Sequence, residues 1–163
     1  MQPVTEEQIR DSFVNTTAGD ARRVPMPGLH EVLWTEREYL GWHDAKAPQR
    51  AYLTVWRGDH PVSFVLRAAE QRSRPGISAM CSLCHTPQPG SHVALFSAPR
   101  SGDAGRKGDT IGTYICADLG CSAVIRIAPP AAPMQLPPEE IVQRRIDGLR
   151  ERLDSFASSV LAH

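Results

Sequence analysis

Met80-Cys81-Ser82-Leu83-Cys84 and Gly112-Thr113-Tyr114-Ile115-Cys116-Ala117-Asp118-Leu119-Gly120-Cys121 hold every cysteine of the chain, as two close pairs with 31 residues between them. A Zn²⁺ ion takes four ligands in a tetrahedron, and thiolates spaced C-x₂-C both reach it from one tight knuckle. The wider second pair can do the same if Cys116 ends a strand and Cys121 opens a helix. The spacing therefore predicts one Cys₄ zinc site made of Cys81, Cys84, Cys116 and Cys121. Such a site is structural, because four thiolates close the coordination sphere and leave no position for an activated water.

Three other uses of these cysteines compete with that one. Disulfides need an oxidising compartment, and Met1-Gln2-Pro3-Val4-Thr5-Glu6-Glu7 shows no basic stretch leading into an apolar one. A thioredoxin-like role for one C-x-x-C leaves the second pair idle. Cys81-Ser82-Leu83-Cys84-His85 also satisfies the C-x-x-C-H pattern of haem attachment. That chemistry normally follows export, so His85 is expected at the surface or behind the ligands.

The elements around the cysteines follow from local pattern. Ala51–Arg57 and Pro61–Arg67 are β-rich runs joined by Gly58-Asp59-His60, a hairpin signal. His92–Ser97 reads as a strand, and Thr110–Ile115 as the next, delivering Cys116 at its end. Between them, Pro99 to Asp109 reads as a glycine-rich basic loop containing Gly105-Arg106-Lys107-Gly108; the P-loop order is absent. Ala117 to Arg126 reads as the start of a helix. Knuckle, hairpin, strand-end cysteine and helix-start cysteine, in that order, make a treble clef.

Upstream, Thr5-Glu6-Glu7-Gln8 is a capping box, with Ile9 and Phe13 on one face of a short helix expected to run to about Asn15. Asn15 to Gly28 reads as loop, broken by Pro25 and Pro27. Trp34, Trp42 and Trp56 sit among apolar neighbours and are expected in a core. Arg67 to Ser78 is polar and reads as loop. Downstream, Ala128 to Pro138 is a stiff proline-rich linker. Beyond it Val142, Ile146, Leu149, Leu153, Phe156 and Val160 form a stripe spaced 4, 3, 4, 3, 4 along one amphipathic helix, expected to lie back on the sheet. A docking helix for a partner is the alternative.

The fold class expected is α+β: an antiparallel sheet with a treble-clef zinc finger, a short N-terminal helix and a long C-terminal helix. The domain division expected is 1–127, with the finger at about 79–127, a linker at 128–138 and the helix at 139–163.

Eighteen acidic and eighteen basic side chains cancel, so no global field marks a general nucleic-acid binder. The basic groups Arg22-Arg23, Arg72 and Arg74, Arg106-Lys107, and Arg144-Arg145 read singly as solvated faces. No apolar run is long enough to span a bilayer. A cytoplasmic monomer with no membrane contact is expected. The motifs of hydrolases, zinc proteases and nucleotide enzymes are absent, and the six histidines, scattered along the chain, read as surface residues. A non-enzymatic protein is expected.

In this order the pieces resemble the elongation-factor-G-binding protein family, in its C-terminal treble-clef zinc-finger domain, found in the FusB-type fusidic-acid resistance proteins. The residues that carry the resemblance are Met80–Cys84, Gly105–Thr110 and Gly112–Cys121, supported by Thr5–Asn15. The resemblance implies a cytoplasmic protein that binds translation elongation factor G and helps it leave a stalled ribosome, with fusidic-acid tolerance as a consequence. It implies Cys81, Cys84, Cys116 and Cys121 as zinc ligands. The resistance proteins carry a further N-terminal helical bundle, and some use a histidine ligand where this chain has cysteine. The loop Arg100–Asp109, with Arg100, Arg106 and Lys107, is the expected partner surface, for elongation factor G or for ribosomal RNA. A zinc-finger protein that binds the ribosome or RNA without acting on elongation factor G is the alternative.

Overall fold

The computed structural model describes residues 1–70 and 77–162; Arg72, Arg74, the middle half of the expected 67–78 loop and His163 lie outside them, and the ends of that stretch belong to strands, Arg67 and Ala68 to one and Ser78 to another. Five antiparallel strands make the main sheet: β1 (Leu40–His43), β2 (Arg50–Arg57), β3 (His60–Ala68), β6 (Val93–Pro99) and β7 (Thr110–Cys116), in the order β1-β2-β3-β6-β7. The predicted hairpin is β2–β3, registered Trp56↔Pro61 and Arg57↔His60 around Gly58-Asp59. A second, two-stranded ribbon pairs β4 (Ser78–Met80) with β5 (Pro87–Pro89).

β2 is buried on both faces, so the sheet is the middle of three layers. On one face lies the C-terminal helix α5 (Pro138–Leu161), whose Leu149, Leu153, Phe156 and Val160 pack with Leu53, Val55, Val62, Phe64 and Phe96. The predicted stripe thus lies back on the sheet, and Phe64 meets Phe156 edge-on at 5.8 Å. Pro138 sits in its first turn, where a missing N–H costs nothing. On the other face Val4, Ile9 and Val24 pack on Leu40, Trp42 and Tyr52, with Trp34 and Trp56 against the cluster. All three tryptophans therefore serve core packing, and Trp42 and Trp56 donate to the carbonyls of Pro25 and Gln2.

The N-terminal helix α1 (Glu6–Asp11) has the predicted capping box, Gln8 N–H to Thr5 Oγ1 and Thr5 N–H to Gln8 Oε1. It ends four residues before Asn15, for a tertiary reason. β3 meets β6 only at Arg67↔Ser97 and Ala68↔Phe96 and then diverges. Ser12–Asn15 run along the opened edge: Ser63 N–H donates to Ser12 O, and Val14 N–H to Ser63 O. The Asn15 amide closes the split by bonding Val65 N–H, Val65 O and Pro99 O at 2.8–3.0 Å.

Two segments expected to be irregular are helical. α2 (Ala18–Arg23) occupies part of the 15–28 stretch, capped by Thr17 Oγ1 accepting from Asp20 N–H. α3 (Gly102–Arg106) lies inside the 99–109 loop. That turn requires Gly105, since a Cβ there would stand 1.8 Å from the Arg100 carbonyl oxygen. No helix among the described residues is long and apolar enough to cross a membrane.

Candidate metal centre

Cys81 follows β4 directly, Cys84 closes the turn after it, Cys116 is the last residue of β7, and Cys121 is the first of α4 (Cys121–Ile125). This is the predicted treble-clef order. The four sulfurs lie within 4.8 Å of one another, with Cys81–Cys121 and Cys84–Cys116 each 3.6 Å apart. Sulfur bonds of about 2.3 Å to a tetrahedral Zn²⁺ put neighbouring sulfurs about 3.8 Å apart. The same separation is far too long for a disulfide, and all four cysteines are free and buried. The donor set fits one thiophilic, tetrahedral cation.

Among the described residues, no carboxylate or imidazole joins the four thiols in the cluster. His85 is exposed, at φ 52, with its N–H bonded to Cys81 O. It stands outside the cluster. Crowded together, the thiols share protons unequally. Cys81 is pushed down to about 7 and Cys84 well below the thiol range, in both cases chiefly by the neighbouring Cys116 sulfur. Cys116 is pushed up despite a hydrogen bond from Cys121 acting in the opposite sense, and Cys121 is pushed up by Cys116. A cation at the centre would remove that competition by binding all four as thiolates.

The first knuckle, Cys81–Cys84, is held partly by itself and partly from outside. Cys84 N–H points at Cys81 Sγ (3.4 Å), and Leu83 is buried in the main core. Ser82 N–H donates to Tyr114 O at 2.7 Å, and Arg152 Nε of α5 to Leu83 O at 2.6 Å. Gln88 of β5 places its amide Nε2 3.1 Å from Cys116 Sγ and 3.8 Å from Cys84 Sγ. Nothing in Pro87-Gln88-Pro89 signalled that role; only the ribbon register brings it there.

The second pair is held by β1 and the two residues that lead into it, Glu38 and Tyr39. Tyr39 O–H donates to Leu119 O (2.6 Å), and His43 Nε2 to Ala117 O (2.8 Å). Burial, and then the adjacent Cys121 sulfur, keep the Tyr39 hydroxyl well above its ordinary pKa, so it remains a donor. Glu38 N–H bonds Ser122 Oγ (3.0 Å), and the Glu38 carboxylate grips Arg126 at 2.7 and 2.8 Å.

The predicted partner-surface residues lie away from the sulfurs. Arg100 is braced, its Nε to Asp109 at 3.0 Å and its Nη1 to the Ser159 carbonyl near the end of α5. Arg106 is exposed and pairs with Asp103 one turn earlier. Lys107 is exposed at the end of α3.

The family model "FBP C-terminal treble-clef zinc-finger" matches residues 8–160. The chain belongs to this family. Among solved structures it is similar to one described as the fusidic acid resistance protein FusC, at 17% identity and a TM-score of 0.54. The likeness covers 75% of this chain and 51% of that one, so the chain spans about half of that protein's length. At that identity the likeness shows the fold. No curated protein matches. Family membership agrees with the resemblance drawn from Met80–Cys84 and Gly112–Cys121, and the match extends through the C-terminal helix.

Proposed function

We propose that Cys81, Cys84, Cys116 and Cys121 hold one structural Zn²⁺, and that the protein is a non-enzymatic binder of elongation factor G that modulates release of the factor from the ribosome. The observation that carries this reading is the family match over nearly the whole chain, on a fold whose four buried sulfurs stand at tetrahedral spacing. Zinc here would cross-link the β4–β5 ribbon to β7 and α4, and four thiolates leave it no open position for chemistry. Fusidic-acid tolerance would follow from faster departure of the factor.

The partner surface in this reading is the α3 turn, with Arg106 and Lys107 outermost and Arg100 at its base. Its bracing to the end of α5 holds the turn in place. Exposed cations at a rim mainly speed association and make it salt-sensitive. The zinc-loaded chain should therefore capture purified elongation factor G without ribosomes. Arg106→Glu with Lys107→Glu should weaken capture by about tenfold at low salt, while zinc content and melting stay unchanged. Failure of the wild-type chain to bind the factor, with or without ribosomes, would end this reading; full binding by the doubly reversed chain would move the interface elsewhere.

A further inference from the structure

β1 contributes no ligand, yet Gly41 and His43 on one of its faces, with Tyr39 just before it, all engage the segment between Cys116 and Cys121. Leu40 and Trp42 point to the N-terminal layer. Gly41 and His43 alternate with them and face the other way, as the pleat requires, and Tyr39, the residue before the strand, reaches the same side. Tyr39 O–H and His43 Nε2 bond the carbonyls of Leu119 and Ala117. Between them Gly41 leaves a hollow filled by Leu119: a Cβ on Gly41 would stand 2.8 Å from Leu119 Cβ and 2.9 Å from Tyr39 Cε2. Leu119 itself is 2% exposed and sits at φ 57, a left-handed conformation unfavourable for a branched side chain.

That conformation needs something to hold it. The Leu119 N–H bonds Cys116 O at 2.8 Å and the Asp118 carboxylate accepts from Gly120 N–H at 2.8 Å, which together tighten the turn. Its carbonyl accepts from Tyr39, and its side chain, part of the main core, fills the Gly41 hollow. The far end is closed by Glu38, through Ser122 within α4 and Arg126 at its C-terminal cap. The shape that brings Cys116 and Cys121 together is therefore supplied by a strand some 80 residues earlier.

We propose that β1 and the residue leading into it are a positioning template for the metal: Tyr39, Gly41 and His43 hold the Ala117–Gly120 loop so that Cys116 and Cys121 converge, and thereby set how long the metal is kept. This rests on the reading that the four cysteines hold zinc. Partners behind metal ligands commonly change affinity by about 10- to 100-fold when removed, and Tyr39, Gly41 and His43 act one step further back, through the loop.

The test is transfer of zinc from the intact, zinc-loaded chain to the chromogenic chelator 4-(2-pyridylazo)resorcinol, well below each protein's melting temperature. The Co²⁺-substituted absorption spectrum reports the thiolate geometry in parallel. Tyr39→Phe removes one hydroxyl and keeps the ring; it should speed release by about tenfold. Gly41→Ala should speed it further and alter the Co²⁺ bands. Val62→Ala, a cavity in the core shared with α5, serves as the control at a similar loss of melting temperature and should release zinc at the wild-type rate. If Gly41→Ala does not fold, Tyr39→Phe decides alone. Unchanged release in Tyr39→Phe, or equally fast release in Val62→Ala, overturns the template while leaving the zinc reading intact. A wild-type chain that takes up neither zinc nor cobalt overturns both.

Discussion

The two halves of the metal centre are shaped by different means. Cys81 and Cys84 belong to a short knuckle that carries much of its own geometry: Cys84 N–H reaches the Cys81 sulfur and His85 N–H the Cys81 carbonyl. Cys116 and Cys121 are separated by four residues, one of them left-handed, and β1 imposes the turn from outside. A C-x₂-C pair needs little help because its spacing alone suits one ion. A wider pair has more conformations to lose, and a folded strand removes them before any metal arrives.

The largest test of this difference is loss of the metal itself. Cys116→Ser, or chelation of the wild type, should unfold the ribbon and first knuckle, because binding energy in a closed site is folding energy. Hydrogen exchange should show Ser78–Pro89 losing protection first, while Leu119 and Ser122 retain more of theirs against β1. Equal loss in both halves would remove the distinction, and a zinc-replete, fully folded Cys116→Ser chain would refute the four-thiolate site.

A smaller effect is expected at the outer clamp of the second half. The Glu38 side chain is fully buried and Arg126 is mostly so. Glu38→Ala strands the guanidinium and should cost about 3 kcal/mol in urea unfolding. Burial by itself would raise the Glu38 pKa, but the hydrogen bonds from Arg126 and Ser122 more than offset it, leaving the carboxyl below its ordinary 4.5. A depressed carboxyl stabilises the fold above its unfolded pKa, and that contribution is lost as pH falls through the folded value. Glu38→Gln should flatten this acid limb of the stability profile; an unchanged limb would mean that other carboxylates set it.

The smallest effect concerns the first half. Arg152 is the α5 residue that bonds the knuckle, through Leu83 O. Arg152→Met keeps the packing of the stem and removes the charged donor, for a loss of about 1.5 kcal/mol. Its influence on zinc release should be less than that of Tyr39→Phe. The reverse order would show that the first half, not the second, governs retention.

Much of this arrangement was legible in order along the chain. Cysteine spacing named the cluster, the strand-end position of Cys116 and helix-start position of Cys121 followed from β-rich and helical patterns, and the stripe from Leu149 to Val160 foretold which face of α5 is buried. α2 was missed although Thr17-Ala18-Gly19-Asp20 is itself a capping signature, because Pro25 and Pro27 nearby suggested a loop. The turn at α3 was missed because three glycines hide a helix whose tightness requires one of them, Gly105.

The sequence by itself determined which residues could bind a metal, where the hairpin turns and how the helices begin, since each depends on neighbours a few positions away. Only the tertiary structure decided what holds the site together. The bonds of Tyr39 to Leu119, Glu38 to Ser122 and Glu38 to Arg126 span 80, 84 and 88 residues. No local periodicity encodes such pairings. They arise because the fold brings β1, at one edge of the sheet, against the loop that follows β7, at the other edge, where a glycine's missing side chain and a tyrosine's hydroxyl acquire a purpose that neither shows in the linear chain.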